Sequence, residues 1–401
     1  MKKNSYIKVN GFIYGVVAKC LCFFLSLKYN IKYENYKEVR KVKGPITLIC
    51  NHVGFWDPFI IAYPLKQKIQ YITSDNIFRS KILKNVMKWL GSIPKTKFME
   101  DRLSLINVLR TSKNGGSIGL FPEGRRSFDG ASIEIIETTA KLIKKMGVPL
   151  VGAKIKGGFL SLPRWAKYKR RGKILIDYTL LLTADEVKNL PEEEMLQIIK
   201  EHLRFNEYEY QSNVMTEFYG KRPAEDLEQL LYVCPKCKTV ASLESDDDKF
   251  FCKSCGYSVI MSRYGFFEKD KDEPIFKNPH LQNEWQKEFT LGFINAKPNV
   301  TDVIFKDKNA DFHIGYKASP LEPLFSGDFI LTKEALIFTC IENGTETSRK
   351  KFLIKDIKGL NIQNKEKFEF YHDDTLYRVG FESTKVSLFK YFVAINILTE
   401  S

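Results

Sequence analysis

With 401 residues and 44% hydrophobic side chains, the chain has enough apolar material for two or three packed domains, which sets aside disorder as the default. Its formal charge of +15 points to partners that carry negative charge: nucleic acid, anionic lipid head groups or phosphorylated small molecules. Of eight cysteines, four stand as two close pairs and Cys20, Cys22, Cys50 and Cys340 are scattered. That usage fits a reducing compartment and a metal site better than a disulfide scaffold, and the chain reads as cytosol-facing.

The first element, Gly11 to Leu27, is apolar but for Lys19 and Ser26 and is flanked by Lys2, Lys3, Lys8 and Lys28. At about 17 residues it sits at the short edge for crossing a bilayer. Drawn as a helix, it puts Lys8, Gly11, Gly15, Lys19, Cys22 and Ser26 on one stripe and leaves Phe12, Val16, Leu21, Phe23, Phe24 and Leu25 around the rest. This predicts an amphipathic, membrane-associating helix within residues 1–30, with a spanning anchor or a core-packed helix as alternatives. A cleaved leader is disfavoured because no small-x-small site follows Leu27 before Lys28.

From about residue 40 to 210 short apolar runs alternate with longer periodic ones. The strands are expected over 46–50, 70–74, 117–121, 150–155 and 173–181, and the helices over 58–65, 80–90, 103–112, 132–146 and 192–204. Such alternation predicts an α/β layered sheet, in which ligands gather outside the carboxyl ends of the strands.

Two loops follow expected strands. Asn51-His52-Val53-Gly54-Phe55-Trp56-Asp57-Pro58 leads from a strand end into a helix start, so His52 and Asp57 can meet although they are five residues apart. A carboxylate on one imidazole nitrogen fixes the tautomer and lets the other nitrogen take a proton. On the bland reading Asp57 is a helix cap before Pro58 and His52 a bystander. The second loop, Phe121-Pro122-Glu123-Gly124-Arg125-Arg126-Ser127, pairs a turn glycine with forked donors that match a phosphate. Its bland reading is a polar loop with solvated arginines.

Taken together, Asn51-His52-x-x-x-x-Asp57 followed by Phe121-Pro122-Glu123-Gly124-x-Arg126-Ser127 resembles the glycerolipid acyltransferase family, most like its 1-acylglycerol-3-phosphate acyltransferases. Gly91 to Lys97 and Val148-Pro149-Leu150-Val151 are similar to the motifs that come between and after them. The resemblance covers roughly residues 10–210 and implies an acyltransferase domain over 31–215. It implies that His52 is the general base, held by Asp57, acting on a lysophospholipid hydroxyl that attacks acyl-CoA or acyl-carrier protein directly, with no catalytic cofactor. Lys97, Glu123, Gly124, Arg125 and Arg126 are then the acceptor-phosphate site, with Glu123 an organiser of the arginines. Lys97 and Arg125 stand where the family usually has Arg and Thr, which leaves a different lysophospholipid open.

The run Arg164 to Lys173 is basic with Trp165 and Tyr168 interleaved. It fits an anionic membrane surface, a nucleic-acid groove or a solvated loop. Cys234-Pro235-Lys236-Cys237 and Cys252-Lys253-Ser254-Cys255 have the spacing of a four-cysteine zinc ribbon, within residues 229–262, closed and therefore structural. A redox dithiol is the runner-up. Residues 275–401 alternate short runs at 328–331, 336–339, 351–354, 359–363, 367–371 and 375–381 and close on an apolar stretch at 388–398. This predicts a β-rich α+β domain ending in a helix, weakly resembling a pleckstrin-homology or GRAM-like domain. The expected protein is a peripheral or monotopic enzyme on the cytoplasmic face of the membrane, with nucleic acid an unlikely partner. The rival is a zinc-ribbon module binding nucleic acid or protein, with a silent N-terminal half.

Overall fold

A computed structural model describes residues 9–79, 81–95, 102–316, 319–342, 345–363, 365–383 and 385–400. The chain forms two compact units, one of residues up to 164 with 169–220, the other of 165–168 with 221–401.

The first unit holds strands β1 (Asn30–Glu34), β2 (Thr47–Cys50), β3 (Ile69–Ser74), β4 (Ile93–Lys95), β5 (Ser117–Leu120), β6 (Leu150–Lys156) and β7 (Lys173–Leu182). Its helices are α1 (Gly11–Lys28), α2 (Tyr36–Val39), α3 (Asp57–Ala62), α4 (Lys81–Trp89), α5 (Arg102–Lys113), α6 (Thr138–Met146), α7 (Gly158–Ser161), α8 (Ala184–Asn189), α9 (Glu192–Leu203) and α10 (Glu207–Val214). The sheet runs β1-β7-β6-β2-β5-β3-β4. Strands β6, β2, β5, β3 and β4 are mutually parallel, and β7 is antiparallel to β6. All four β2 residues are buried, as expected of a parallel strand covered on both faces. Ile49 packs with Ile118, Leu120, Ile143 and Ile199 in one core, where each such side chain contributes about 1.5–3 kcal/mol. Strand alternation turns Leu48 and Cys50 to the other face, which is equally closed.

One expected helix begins late, and several short elements, β1 among them, lie outside the expected spans. The helix expected from 132 starts only at Thr138, because Ser132 Oγ accepts from Phe205 N and Ile133 N donates to Glu123, so this backbone bonds outward instead of up a helix. Strand β1, outside the expected spans although Ile31 and Tyr33 alternate with polar residues, adds to the sheet edge by pairing with β7 in parallel.

Helix α1 docks through Cys22, from the stripe expected to be polar, and through Leu25, from the apolar remainder. Cys22 is 1% exposed and its Sγ donates to Phe59 O at 3.4 Å, and Leu25 is buried beside it. Phe12, Phe23, Phe24 and Leu27 point outward, Phe12 at 81% exposure. Among the described residues no helix is long and apolar enough to cross a membrane.

The second unit contains a four-stranded sheet in the order β11-β10-β9-β8, from β8 (Leu243–Asp246), β9 (Lys249–Cys252), β10 (Ser258–Met261) and β11 (Phe267–Lys269). After α11 (Pro279–Asn295) come β12 (Val303–Gly315), β13 (Glu322–Thr332), β14 (Ala335–Glu342), β15 (Thr345–Leu353), β16 (Lys358–Gln363), β17 (Lys367–His372) and β18 (Thr375–Phe381), then α12 (Leu388–Glu400). These seven strands form one antiparallel sheet, β15-β14-β13-β12-β18-β17-β16. The β-rich region with a closing helix is therefore present. Strand β12 and helix α11 went unread, the helix because its buried face is polar: Gln282, Asn283, Gln286 and Thr290. Gln286 accepts from Tyr232 N and donates to Leu230 O. In the basic run Trp165 is fully buried and Arg170 is 3% exposed, so neither side chain lies on a surface as the membrane, nucleic-acid and solvated-loop readings of that run all required.

Candidate active site

Strands β2 and β5 run side by side in the same direction, Ile49 opposite Leu120, so the loops that leave them emerge at one edge. Asn51 ties the end of β2 to β6. Its Oδ1 accepts from Ile155 N at 2.8 Å and its Nδ2 donates to Ile155 O at 3.0 Å. His52 follows immediately, its side chain 21% exposed.

Asp57 Oδ2 lies 2.8 Å from His52 Nδ1 and also accepts from Val53 N at 2.7 Å and Gly54 N at 2.8 Å. The carboxylate is not an N-cap. Trp56 holds the cap position without a side-chain bond, Asp57 is the first helical residue and Pro58 follows, so the side chain folds back over the loop. A carboxylate at Nδ1 keeps the ring proton there and leaves Nε2 as the basic nitrogen. The imidazole also stacks on Phe121, with centroids 4.2 Å apart and planes at 23°, and Phe121 in turn lies near-parallel to Tyr71. A Cβ at Gly119 would fall 2.1 Å from the Tyr71 ring, so the stack needs glycine in β5.

In the second loop Gly124 takes φ 66° and its N–H donates to Phe121 O at 2.9 Å, closing a turn that strains other residues. Glu123 is buried, and its oxygens accept from His52 N at 2.9 Å and Ile133 N at 3.3 Å. Burial pushes its carboxyl up to about 7, against the two backbone bonds. Arg126 is held below the usual guanidinium range by burial, which the Asp57 charge opposes. Lys97 lies outside the described residues.

Sequence reading missed the role of Arg164, taken there as one cation in a basic run. Its Nη1 donates to Arg126 O at 2.9 Å and its guanidinium lies 4.1 Å over the Phe128 ring. Burial first, then the like charges of Arg126 and Arg125, depress its pKa strongly. Three cations thus gather on and behind the second loop. No local signal announces Arg164, because it arrives from 38 positions away.

In the second unit the sulfurs of Cys234, Cys237, Cys252 and Cys255 all lie within 4.8 Å of one another. The Cys234–Cys255 and Cys237–Cys252 pairs are each 3.7 Å apart. A tetrahedral ion with bonds of about 2.3 Å requires sulfur edges of about 3.8 Å, whereas a disulfide needs about 2.0 Å, so the four thiols fit a metal. The first knuckle has no glycine, and Lys238 there adopts φ 62°, matching φ 70° at Gly256 in the second.

Residues 30–156, all within the first unit, match the family model described as Acyltransferase. The 1-acyl-sn-glycerol-3-phosphate acyltransferase of Bacillus subtilis (strain 168) is 26% identical over 147 residues, 36% of this chain and 72% of that protein. The chloroplastic 1-acyl-sn-glycerol-3-phosphate acyltransferase BAT2 of Brassica napus is 29% identical over 138 residues, 34% of this chain and 40% of that protein. A solved structure, the 1-acyl-sn-glycerophosphate (LPA) acyltransferase PlsC from Thermotoga maritima, aligns with a TM-score of 0.42 at 17% identity, over 48% of this chain and 78% of that one.

Proposed function

We propose that the chain transfers a fatty acyl group from acyl-CoA or acyl-carrier protein to the free hydroxyl of 1-acylglycerol-3-phosphate, giving phosphatidic acid in phospholipid synthesis. The observation that carries this reading is the His52–Asp57 pair at 2.8 Å, set in a domain that matches an acyltransferase family. His52 Nε2 takes the proton of the acceptor hydroxyl as its oxygen attacks the thioester carbonyl. The carbon–sulfur bond then breaks and the thiolate leaves with that proton, so neither a covalent acyl-enzyme nor a cofactor is needed. Arg125 and Arg126, presented by the Gly124 turn, and Lys97 hold the acceptor phosphate, with Arg164 adding charge behind them.

The outward Phe12, Phe23, Phe24 and Leu27 of α1 support peripheral or monotopic attachment to the cytoplasmic face of the membrane. We assign zinc to the four cysteines as a structural ion, on the donor set and sulfur spacing. The strand count and final helix of the second unit support a pleckstrin-homology or GRAM-like reading.

Acyl transfer from long-chain acyl-CoA and acyl-carrier protein to a panel of lysolipids tests the reaction. Lysophosphatidic acid should be the preferred acceptor, and His52→Ala should slow turnover about a thousandfold or more. If His52→Ala keeps most of the activity, the base is wrong. If another lysolipid is preferred, the head-group assignment falls.

A further inference from the structure

His52 sits on a loop, and Asp57 alone cannot fix where that loop lies. The oxygen that orients the ring also binds the N–H groups of Val53 and Gly54, so base and carboxylate move as one body. What anchors that body is the neighbouring loop. Glu123 Oε2 accepts from His52 N at 2.9 Å, and Ser127 N donates to His52 O at 3.2 Å. The main chain of His52 is thereby gripped at its donor and at its acceptor by one loop, 71 positions away. Glu123 Oε1 is engaged as well, by Ile133 N at 3.3 Å. Glu123 is 5% exposed, and its ionisation answers to burial and to the bonds from His52 and Ile133 ahead of the Arg125 charge.

We propose that Glu123 is a positioning residue for the base, acting through the backbone of His52, and makes no contact with the acceptor phosphate. The proposal rests on the acyltransferase reading and differs from the phosphate role that the resemblance implies. It makes the second loop serve two ends: its arginines face the phosphate while its acid and its last amide register the base against β5. An imidazole displaced by about 1 Å loses on the order of a hundredfold in rate. Glutamine at 123 keeps the size, but its single carbonyl can serve one N–H while its amide donor meets the other, donor against donor.

The test uses the full chain with saturating acyl-CoA and varied lysophosphatidic acid. In Glu123→Gln kcat should fall about a hundredfold while KM for the acceptor stays within about threefold. Glu123→Asp, which keeps the carboxylate, should recover part of kcat. A rise in acceptor KM of about tenfold with kcat preserved would make Glu123 a phosphate contact and overturn the proposal, as would two unchanged constants. A second measurement needs no turnover. The imidazole nitrogen resonances of His52 in nitrogen-labelled protein should shift in Glu123→Gln, and in Glu123→Asp should that variant alone fold; resonances identical to the parent's overturn the proposal. Absence of turnover in the parent would instead count against the acyltransferase reading, leaving the resonances to judge the clamp.

Discussion

The two units treat buried charge in opposite ways. In the second, cations and anions meet in pairs: Lys365 with Asp226, Lys385 with Glu228, Arg378 with Glu369 and Lys390 with Asp307. In the first, the acids Asp57 and Glu123 are held largely by main-chain N–H groups, while Arg164 bonds to the Arg126 carbonyl and feels the like charges of Arg126 and Arg125. Neutralised pairs hold a structure together and leave little field for a ligand. Acids held by amides beside like-charged arginines leave net positive charge for an anionic substrate, so the arrangement of charge separates scaffold from site.

That contrast can be broken in order of effect. If the four cysteines hold zinc as proposed, a strong chelator should unfold the β8–β11 sheet, since a structural zinc ion is worth about 10 kcal/mol or more. Elemental analysis should find one zinc per chain beforehand, and calorimetry should show a transition lost with it. Asp57→Asn should cost about a thousandfold in kcat through the wrong tautomer with the melting temperature nearly kept, checked by steady-state kinetics and circular dichroism. Lys390→Met removes the 2.7 Å partner of the half-buried Asp307, which keeps the Tyr391 hydroxyl as a donor, and should destabilise by about 1–3 kcal/mol, as denaturant titration would show. Lys351→Ala, at an exposed pair with Glu334, should change stability by less than about 1 kcal/mol in the same titration.

A pH dependence sharpens the same point inside the first unit. His202 is pushed down to about 4 by burial and then by Lys154, its ring against Gly152 and its Nε2 near Ala153 O at 3.4 Å. Its folded pKa lies below the unfolded value of about 6.5, so this stability is present above pH 6.5 and is lost as pH falls towards 4. The loss should reach roughly 3 kcal/mol at most. Comparing melting temperatures of the parent and His202→Gln across that range isolates it, and parallel curves would refute it.

Most of the parallel sheet was legible because buried strands read as apolar runs, and β2, β3, β5, β6 and β7 fall within a residue or so of the expected spans. His52 and the arginine loop were legible for the same reason: each follows such a run. What escaped lay where burial and polarity part company. The polar face of α11 is inside, Cys22 packs inward from a stripe of polar and small residues, and Ser132 to Glu137 spend their donors on distant partners. Glu123 carried its motif in plain view, but its partner is a backbone amide, which no side-chain pattern can announce.

The single oxygen Asp57 Oδ2 serves donors three, four and five positions away. This half of the site has very low contact order, and it can assemble as soon as the local turn does. The other half depends on closures across 71 and 38 positions. Partial opening of the unit therefore releases the anchor and the arginines first, and leaves an intact histidine–aspartate pair adrift from its substrate.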